Sequence, residues 1–424
     1  MNEALKNFLE KHGMNASAVV PSVEAEKMKD DMRRGLKGEK SSMPMIPAYL
    51  SNEGCIAEGE RAVVIDAGGT NFRAALLRFE KGAFITEEIT KAKMPGIEKP
   101  AEWEEFVSFT ADKIMPFMDR ADRIGYCFSY SADITPEIDG KVNCIDKEVT
   151  VKNSAGKLVG ASLVAELEKR GVSGKRAVIL NDTVAVLLGG AAALDKNAYS
   201  GFAGQVSGTG TNTCCAVPIK DIEKLGRNEE KSILVNHESG MYDGIKRGEF
   251  DIILDNNSAN PGSKQFEKMT AGVYLGELFR LMLGAAANEG LLSDEGTKKA
   301  AALVKADAGD LDAWSCAERL EELCGNEKDE EFVVALAKDI FERSARCMCT
   351  NLLAIMLLTG AGKDAAKPFC VCAEGSLVQK GRNYRPVLVK LLKEEGEKLG
   401  LYAELKIGDG STMSGSAAAA ILNI

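Results

Sequence analysis

One pattern occurs twice in this chain. Residues 62–65 are apolar, Asp66-Ala67-Gly68-Gly69-Thr70 follows, and 72–79 returns as a largely apolar stretch. Residues 202–207 then run into Gly208-Thr209-Gly210-Thr211, and 212–217 return in the same way. Each copy reads as strand, tight glycine turn, strand. Two copies predict an internally duplicated α/β architecture. Neither turn has the G-x4-G-K-[ST] spacing, and no G-x-G-x-x-G opens a helix, so a P-loop enzyme and an ordinary dinucleotide-binding fold are both excluded.

The rest of the pattern fits between and after these units. Residues 100–118 predict a helix, 124–130 and 177–180 strands, and 183–194 a buried helix. Apolar residues three and four apart predict helices over 266–283, 331–358 and 384–399, with a strand at 369–373 and an alanine-rich helix at 417–422. Leu5, Phe8 and Leu9 at helical spacing predict an outlying helix, a solvated surface helix with a dimer contact as the alternative, and 41–51 reads as a connector.

Composition narrows the function. Net charge is 53 − 63 = −10 and aromatics are 6%, which argues against a general nucleic-acid binder and a polybasic membrane-surface protein. The apolar run from Ala177 to Leu194 is interrupted by Asn181 and Asp182, which argues against a membrane span. There are 11 cysteines, an odd number, and no apolar leader follows Met1, so reduced thiols in a cytoplasm are expected. The C-x-C pairs at 347/349 and 370/372 read as small buried apolar groups. With two histidines, the chemistry is expected from carboxylates, backbone and a metal.

Glycine turns let backbone N–H groups approach an anion closely, so the two turns read as a phosphate clamp, against the alternative of ordinary hairpins. Asp66 beside the first could organise Mg²⁺, directly or through water. Asn181-Asp182-Thr183 sits between an apolar strand and an apolar helix. It is either a helix cap or a general base at a strand's carboxyl end. Residues 236–240, 260–262 and Glu267 offer amides and carboxylates suited to sugar hydroxyls, or they are solvated loop groups.

These motifs resemble the hexokinase family of the eukaryotic type. The resemblance rests on DAGGTNFR (66–73), FSYS (128–131), NDTVA (181–185), SGTGTN (207–212), NHESG (236–240), NPGSKQFEKMTAGVYLGELFR (260–280) and GDGS (408–411). It implies a two-lobed actin-like ATPase (ribonuclease H-like) fold with an interlobe cleft. Residues 58–182 would form the small lobe, 183–410 the large lobe, 1–57 a segment packing with the large lobe, and 411–424 a helix returning to the small lobe. The implied reaction is transfer of the γ-phosphoryl of MgATP to the 6-hydroxyl of a hexose such as glucose or mannose. The implied catalytic base is Asp182. Ser129, Asp146, Lys147, Asn181, Asn212, Glu238 and Glu267 fall on sugar-binding positions. Asp66, Gly68, Gly69, Thr70, Asn71, Arg73, Gly208, Thr209, Gly210, Thr211, Gly375, Ser376, Gly410 and Ser411 fall on nucleotide-binding positions, with Asp66 on Mg²⁺ through water. The expected partner is a small sugar, with no nucleic acid and no membrane, in a cytoplasmic monomer or homodimer. The chain departs from the family at Asp146, Ser131 and Ser239. An aminohexose or polyol kinase, and a non-catalytic sugar sensor, are therefore the rival readings.

Overall fold

The computed structural model describes residues 3–145, 149–408 and 411–424. The first sheet contains β1 (Arg61–Gly68), β2 (Asn71–Glu80), β3 (Ala83–Lys93), β4 (Arg123–Phe128) and β5 (Arg176–Leu180), in the spatial order β5-β4-β1-β2-β3. The second contains β6 (Gly201–Ser207), β7 (Thr211–Pro218), β8 (Ser232–Asn236), β9 (Phe369–Glu374) and β10 (Ala403–Ile407), in the order β8-β7-β6-β9-β10. In both, the first three strands pair antiparallel, the fourth joins the first in parallel and the fifth joins the fourth in parallel. The repeated turn thus marks a repeated sheet of identical strand order. A short strand, Ile46–Pro47, adds antiparallel to β8 at the outer edge of the second sheet.

The sequence accounts for which strands lie inside. β1 is apolar on both faces and is covered on both, with Ala62, Val63, Val64 and Ile65 fully buried. β3 alternates charge and hydroxyl with sparse apolar residues and lies at the open edge, where charge discourages pairing with other chains.

Five helices matter for the site: α1 (Glu3–Lys11), α2 (Pro21–Lys37), α3 (Asp182–Ala192), α4 (Glu327–Thr359) and α5 (Ser411–Asn423). α3 and α5 pack between the two sheets. Their core contains Val64, Leu77, Val178 and Leu180 of the first sheet, Phe202, Cys214, Leu234, Cys370 and Cys372 of the second, and Val184–Leu188 and Ala417–Ala420 of the helices. The alanines of α5 permit close approach. A Cβ added at Gly415 would overlap the carbonyl of Ala185, and one at Gly125 would overlap that of Ser416. Cys347, Cys349, Cys370 and Cys372 are all buried and unbridged.

Two expectations are corrected. The amino-terminal helix does not face solvent: Leu5 and Leu9 are fully buried, and Phe8 packs on Phe250 and Phe332 at ring distances of 6.0 and 6.3 Å. α2 follows it into the same core, where Met28 and Met32 lie against α4. The helix expected over 266–283 is two helices, Gln265–Thr270 and Gly272–Asn288, broken at the extended residue Ala271. Among the described residues no helix is long and apolar enough to cross a membrane.

Candidate active site

β5 buries Val178, Ile179 and Leu180, then delivers Asn181 and Asp182 to its carboxyl end. Asn181 Oδ1 accepts the backbone N–H of Thr183 at 2.9 Å and caps α3. The capping role therefore belongs to Asn181 and does not explain Asp182. Asp182 is the first helical residue, and its Oδ1 accepts from the Thr183 N–H at 2.7 Å and the Thr183 hydroxyl at 3.2 Å. Burial raises the Asp182 carboxyl above its ordinary proton affinity, and the charge of Asp66 adds to the rise, while Thr183 opposes it. Such a carboxylate is better matched to taking a proton than a solvated one.

The first turn joins β1 to β2, with Asp66 opposite Arg73. The Arg73 guanidinium bonds Asp66 Oδ2 through Nε at 2.9 Å and also through Nη2. Gly69 has φ of 54° and open space where a side chain would stand. The Tyr130 hydroxyl donates to Gly69 O at 3.0 Å, and the Ser129 N–H donates to Ala67 O at 3.1 Å. Gly68 lies against Ser129. Asn71 Oδ1 accepts from Lys93 Nζ at 2.8 Å, and Thr70 O accepts from the Met94 N–H at 3.1 Å.

The second turn joins β6 to β7 and is held by three chain segments. The Gly208 N–H donates to Gly210 O at 3.0 Å, and the Gly272 N–H donates to Gly208 O at 2.8 Å. That second bond is what breaks the helix at Ala271. Gly375, with φ of 115°, packs on the carbonyl of Ser207, and Ser376 N lies beside Gly208. Thr209 is exposed at the tip, whereas Thr211 is buried and its Oγ1 accepts from the Thr270 hydroxyl at 3.1 Å.

The second turn continues into a cluster of amides and carboxylates. Asn212 Nδ2 donates to Asn236 Oδ1 at 2.7 Å and to Glu238 Oε1 at 3.4 Å, and Asn236 Nδ2 donates to the same Glu238 oxygen at 2.8 Å. Asn212 Oδ1 accepts the N–H groups of Thr213 and Ser239 at 2.8 and 3.2 Å. Glu267 Oε2 accepts the Thr211 N–H at 3.2 Å, and Glu267 Oε1 accepts from Lys264 Nζ at 3.2 Å. Burial raises the Glu238 carboxyl, and the charges of Asp182 and Glu267 add to this, while Asn236 and Lys264 oppose it. His237 points away from titration: burial pushes it down to about 3, and its ring meets Thr213 Oγ1 at 3.0 Å and Cys215 Sγ at 3.3 Å.

Asn181, Asp182, Asn212, Glu238 and Glu267 thus form one electrostatic group, reached by Asp66 from the first sheet. Asn236, one of the amides expected at 236–240, joins it, as does Lys264, which the sequence did not single out although it lies inside the motif NPGSK. Asp146, Lys147 and Gly410 lie outside the described residues, as does the side chain of Ser411, whose backbone opens α5.

The turns suit a polyphosphate. Gly69 leaves its face open, Gly208 and Gly375 bring two backbones together, and hydroxyls stand at Thr209 and Ser376. No group of three or more His, Cys, Asp or Glu among the described residues could hold a metal ion alone. Mg²⁺ takes phosphate oxygens and keeps several waters, so a nucleotide held at these turns would itself supply ligands for it.

Two family models, both described as hexokinase, match residues 4–192 and 202–422. The chain belongs to the hexokinase family. Hexokinase-1 of Nicotiana tabacum is 27% identical over 92% of this chain and 84% of its own length. Hexokinase-1 of Saccharomyces cerevisiae is 29% identical over 62% of this chain, a match that spans 57% of the yeast protein. A solved hexokinase from Schistosoma mansoni, itself complexed with glucose, superposes with a TM-score of 0.76 at 21% identity, over 99% of both chains. That likeness establishes the two-lobed actin-like ATPase fold. The boundary between the two hexokinase models, after residue 192 and before 202, falls between α3 and β6, where the second sheet begins. Hexokinase-family membership makes this chain a phosphotransferase with a hydroxyl acceptor, using ATP and a hexose.

Proposed function

We propose that the chain transfers the γ-phosphoryl group of MgATP to the 6-hydroxyl of a hexose such as glucose or mannose, with Asp182 as general base. The observation that carries this reading is the position of Asp182. It opens the helix between the sheets, within electrostatic reach of Asp66 at the first turn and Glu238 beside the second.

The nucleotide supplies the phosphoryl group and Mg²⁺ neutralises its charge. The protein's own work is positioning. Asn212, Asn236, Glu238 and Glu267 present acceptors and donors to the sugar hydroxyls, with Asn181 and Ser129 at the rim. Asp182 takes the proton of the attacking hydroxyl, which strengthens that oxygen as a nucleophile. The turns at 66–71 and 207–211, with Gly375 and Ser376, direct backbone N–H groups at the phosphates. Residues 58–182 with 411–424 form one lobe and 183–410 with 1–57 the other, and sugar binding draws them together and excludes water. We place the enzyme in the cytoplasm, as a monomer or homodimer.

The test is ADP release, coupled to a reporter reaction, with MgATP and glucose, mannose, fructose, glucosamine, N-acetylglucosamine or no sugar. Sugar-dependent turnover with glucose or mannose preferred supports the proposal. A preference for glucosamine would move the assignment to an aminohexose kinase. Sugar binding without turnover would make the chain a sensor.

A further inference from the structure

Lys264 is the one cation that hydrogen-bonds a sugar-side carboxylate among the described residues. Its backbone has φ of 53°, a left-handed conformation that costs a lysine energy and persists where the surroundings enforce it. The enforcement is visible on both sides. Lys268, buried four residues on, bonds Asp255 Oδ1 at 2.5 Å and Asn260 O at 2.8 Å. The Gly262 N–H donates to both oxygens of the same Asp255 at 3.1 Å. The loop 255–268 is therefore anchored by a buried ion pair, and its strained residue is the one that turns an ammonium toward Glu267.

Glu267 sits between two donors, Lys264 on Oε1 and the Thr211 N–H on Oε2. A carboxylate held at both oxygens has one orientation. Without Lys264 it keeps a single neutral bond, and three carboxylates (Asp182, Glu238 and Glu267) share a partly buried space without a resident cation to offset them. Tyr274, on the helix that follows, adds a phenol whose ionisation is disfavoured by burial and then by the charge of Glu267, while Lys264 opposes the rise. Like charges gathered in a partly buried site raise one another's proton affinity.

We infer that Lys264 is a positioning residue for sugar recognition, acting through Glu267: its ammonium fixes that carboxylate's orientation and balances the charge of the Asp182, Glu238 and Glu267 group. Lys264 makes no chemical step. This rests on the sugar-kinase reading for the identity of the ligand, and it predicts an effect on hexose binding rather than on turnover.

The experiment uses the full chain and two readouts. Calorimetry gives the hexose Kd of wild type, K264A, K264R and K264Q, using whichever sugar of the panel binds wild type best, and steady-state kinetics gives kcat, KM and their pH dependence. In K264A the hexose Kd and KM rise about tenfold or more, the scale of one charge-assisted hydrogen bond. kcat changes less than about threefold, and the acid limb of kcat/KM moves to higher pH, because carboxylates that have lost their cation hold protons more tightly. K264R restores most of the binding and K264Q restores little. In an E267Q background, K264A adds less than it does alone, because the two act as a unit. Unchanged Kd and acid limb in a folded K264A overturn the inference, as do additive effects of the two substitutions. Equal collapse of kcat, binding and thermal stability in K264A and K264R would make Lys264 a scaffold residue and also overturn it. Wild type that binds sugar without turnover would defeat the kinase proposal and leave the Lys264 inference decided by Kd; wild type that binds no sugar defeats both.

Discussion

The backbone N–H of Thr211 donates to Glu267 Oε2 across 3.2 Å, so the second glycine turn and the carboxylate proposed to bind sugar are mechanically joined. A change at Glu267 is therefore felt on both sides of the reaction. Glu267→Ala is expected to raise KM for the hexose by about tenfold or more and KM for ATP by a smaller factor, because a buried donor loses its acceptor. Initial rates with each substrate varied in turn check this. An unaltered ATP KM would show that the turn holds its shape without Glu267.

Removal of Asp182 separates binding from chemistry. Asp182→Ala is expected to lower kcat by roughly 10²–10⁴, the usual range for a general base, and to alter hexose Kd by only a few-fold. Single-turnover kinetics with calorimetry measures both. Near-normal turnover in the variant would remove Asp182 from the mechanism.

The pH profile follows from burial. The Asp182 and Glu238 carboxyls are both raised, chiefly by burial, so the acid limb of kcat/KM is expected above the ordinary carboxylate range of about 4. As pH falls through that limb, Asp182 acquires a proton and can no longer accept the one from the sugar. His237, held neutral down to about 3, contributes no limb of its own between pH 5 and 8. A rate profile from pH 4.5 to 9 decides the matter; an acid limb at or below pH 4 would contradict the raised values.

The same histidine makes a prediction for stability. Its folded value lies below the unfolded 6.5, so below about pH 6.5 the unfolded chain binds a proton that the folded chain refuses. Its contribution is fully present above pH 6.5 and is lost as pH falls from there toward 3. Urea unfolding at pH 7.5 and 5.0 is expected to give a lower midpoint at 5.0. A midpoint that rises on acidification would show that other groups dominate.

Gly415→Ala tests the packing between the sheets. The added methyl would collide with the Ala185 carbonyl, and neither helix has a flexible side chain there to yield. Overpacking of this kind costs about 1–3 kcal/mol, read as a lower urea midpoint. An unchanged midpoint would mean that α3 and α5 can slide apart at no cost.

Much of this was legible locally. The strand–turn–strand units show in the sequence because their signals, short apolar runs and paired glycines, lie within twenty residues. Even the Asp66–Arg73 pairing follows from a hairpin with a two-residue turn, which sets those positions opposite each other. What escaped depends on distant partners. The stripe Leu5, Phe8, Leu9 was visible, but Phe250 and Phe332, which cover it, are more than 240 residues away. The apolar spacing of 266–283 is continuous, and nothing local announces that Gly208 O claims the Gly272 N–H and splits the helix. Lys264 does not stand out in the sequence because lysines are common in loops; its significance comes from Glu267, to which the fold brings its ammonium.

The return of α5 to the first sheet has a consequence for synthesis. Ser416 packs on Gly125 of β4, and Ala417–Ala420 complete the core over β1 and β5. The strands of that sheet have all been translated by Leu180, yet one of their faces lacks a covering helix until residues 411–423 follow. More than two hundred residues, β6 to β10 of the second sheet among them, are translated in that interval. Until then the early lobe lacks part of its core, and residues 411–423 are what complete it.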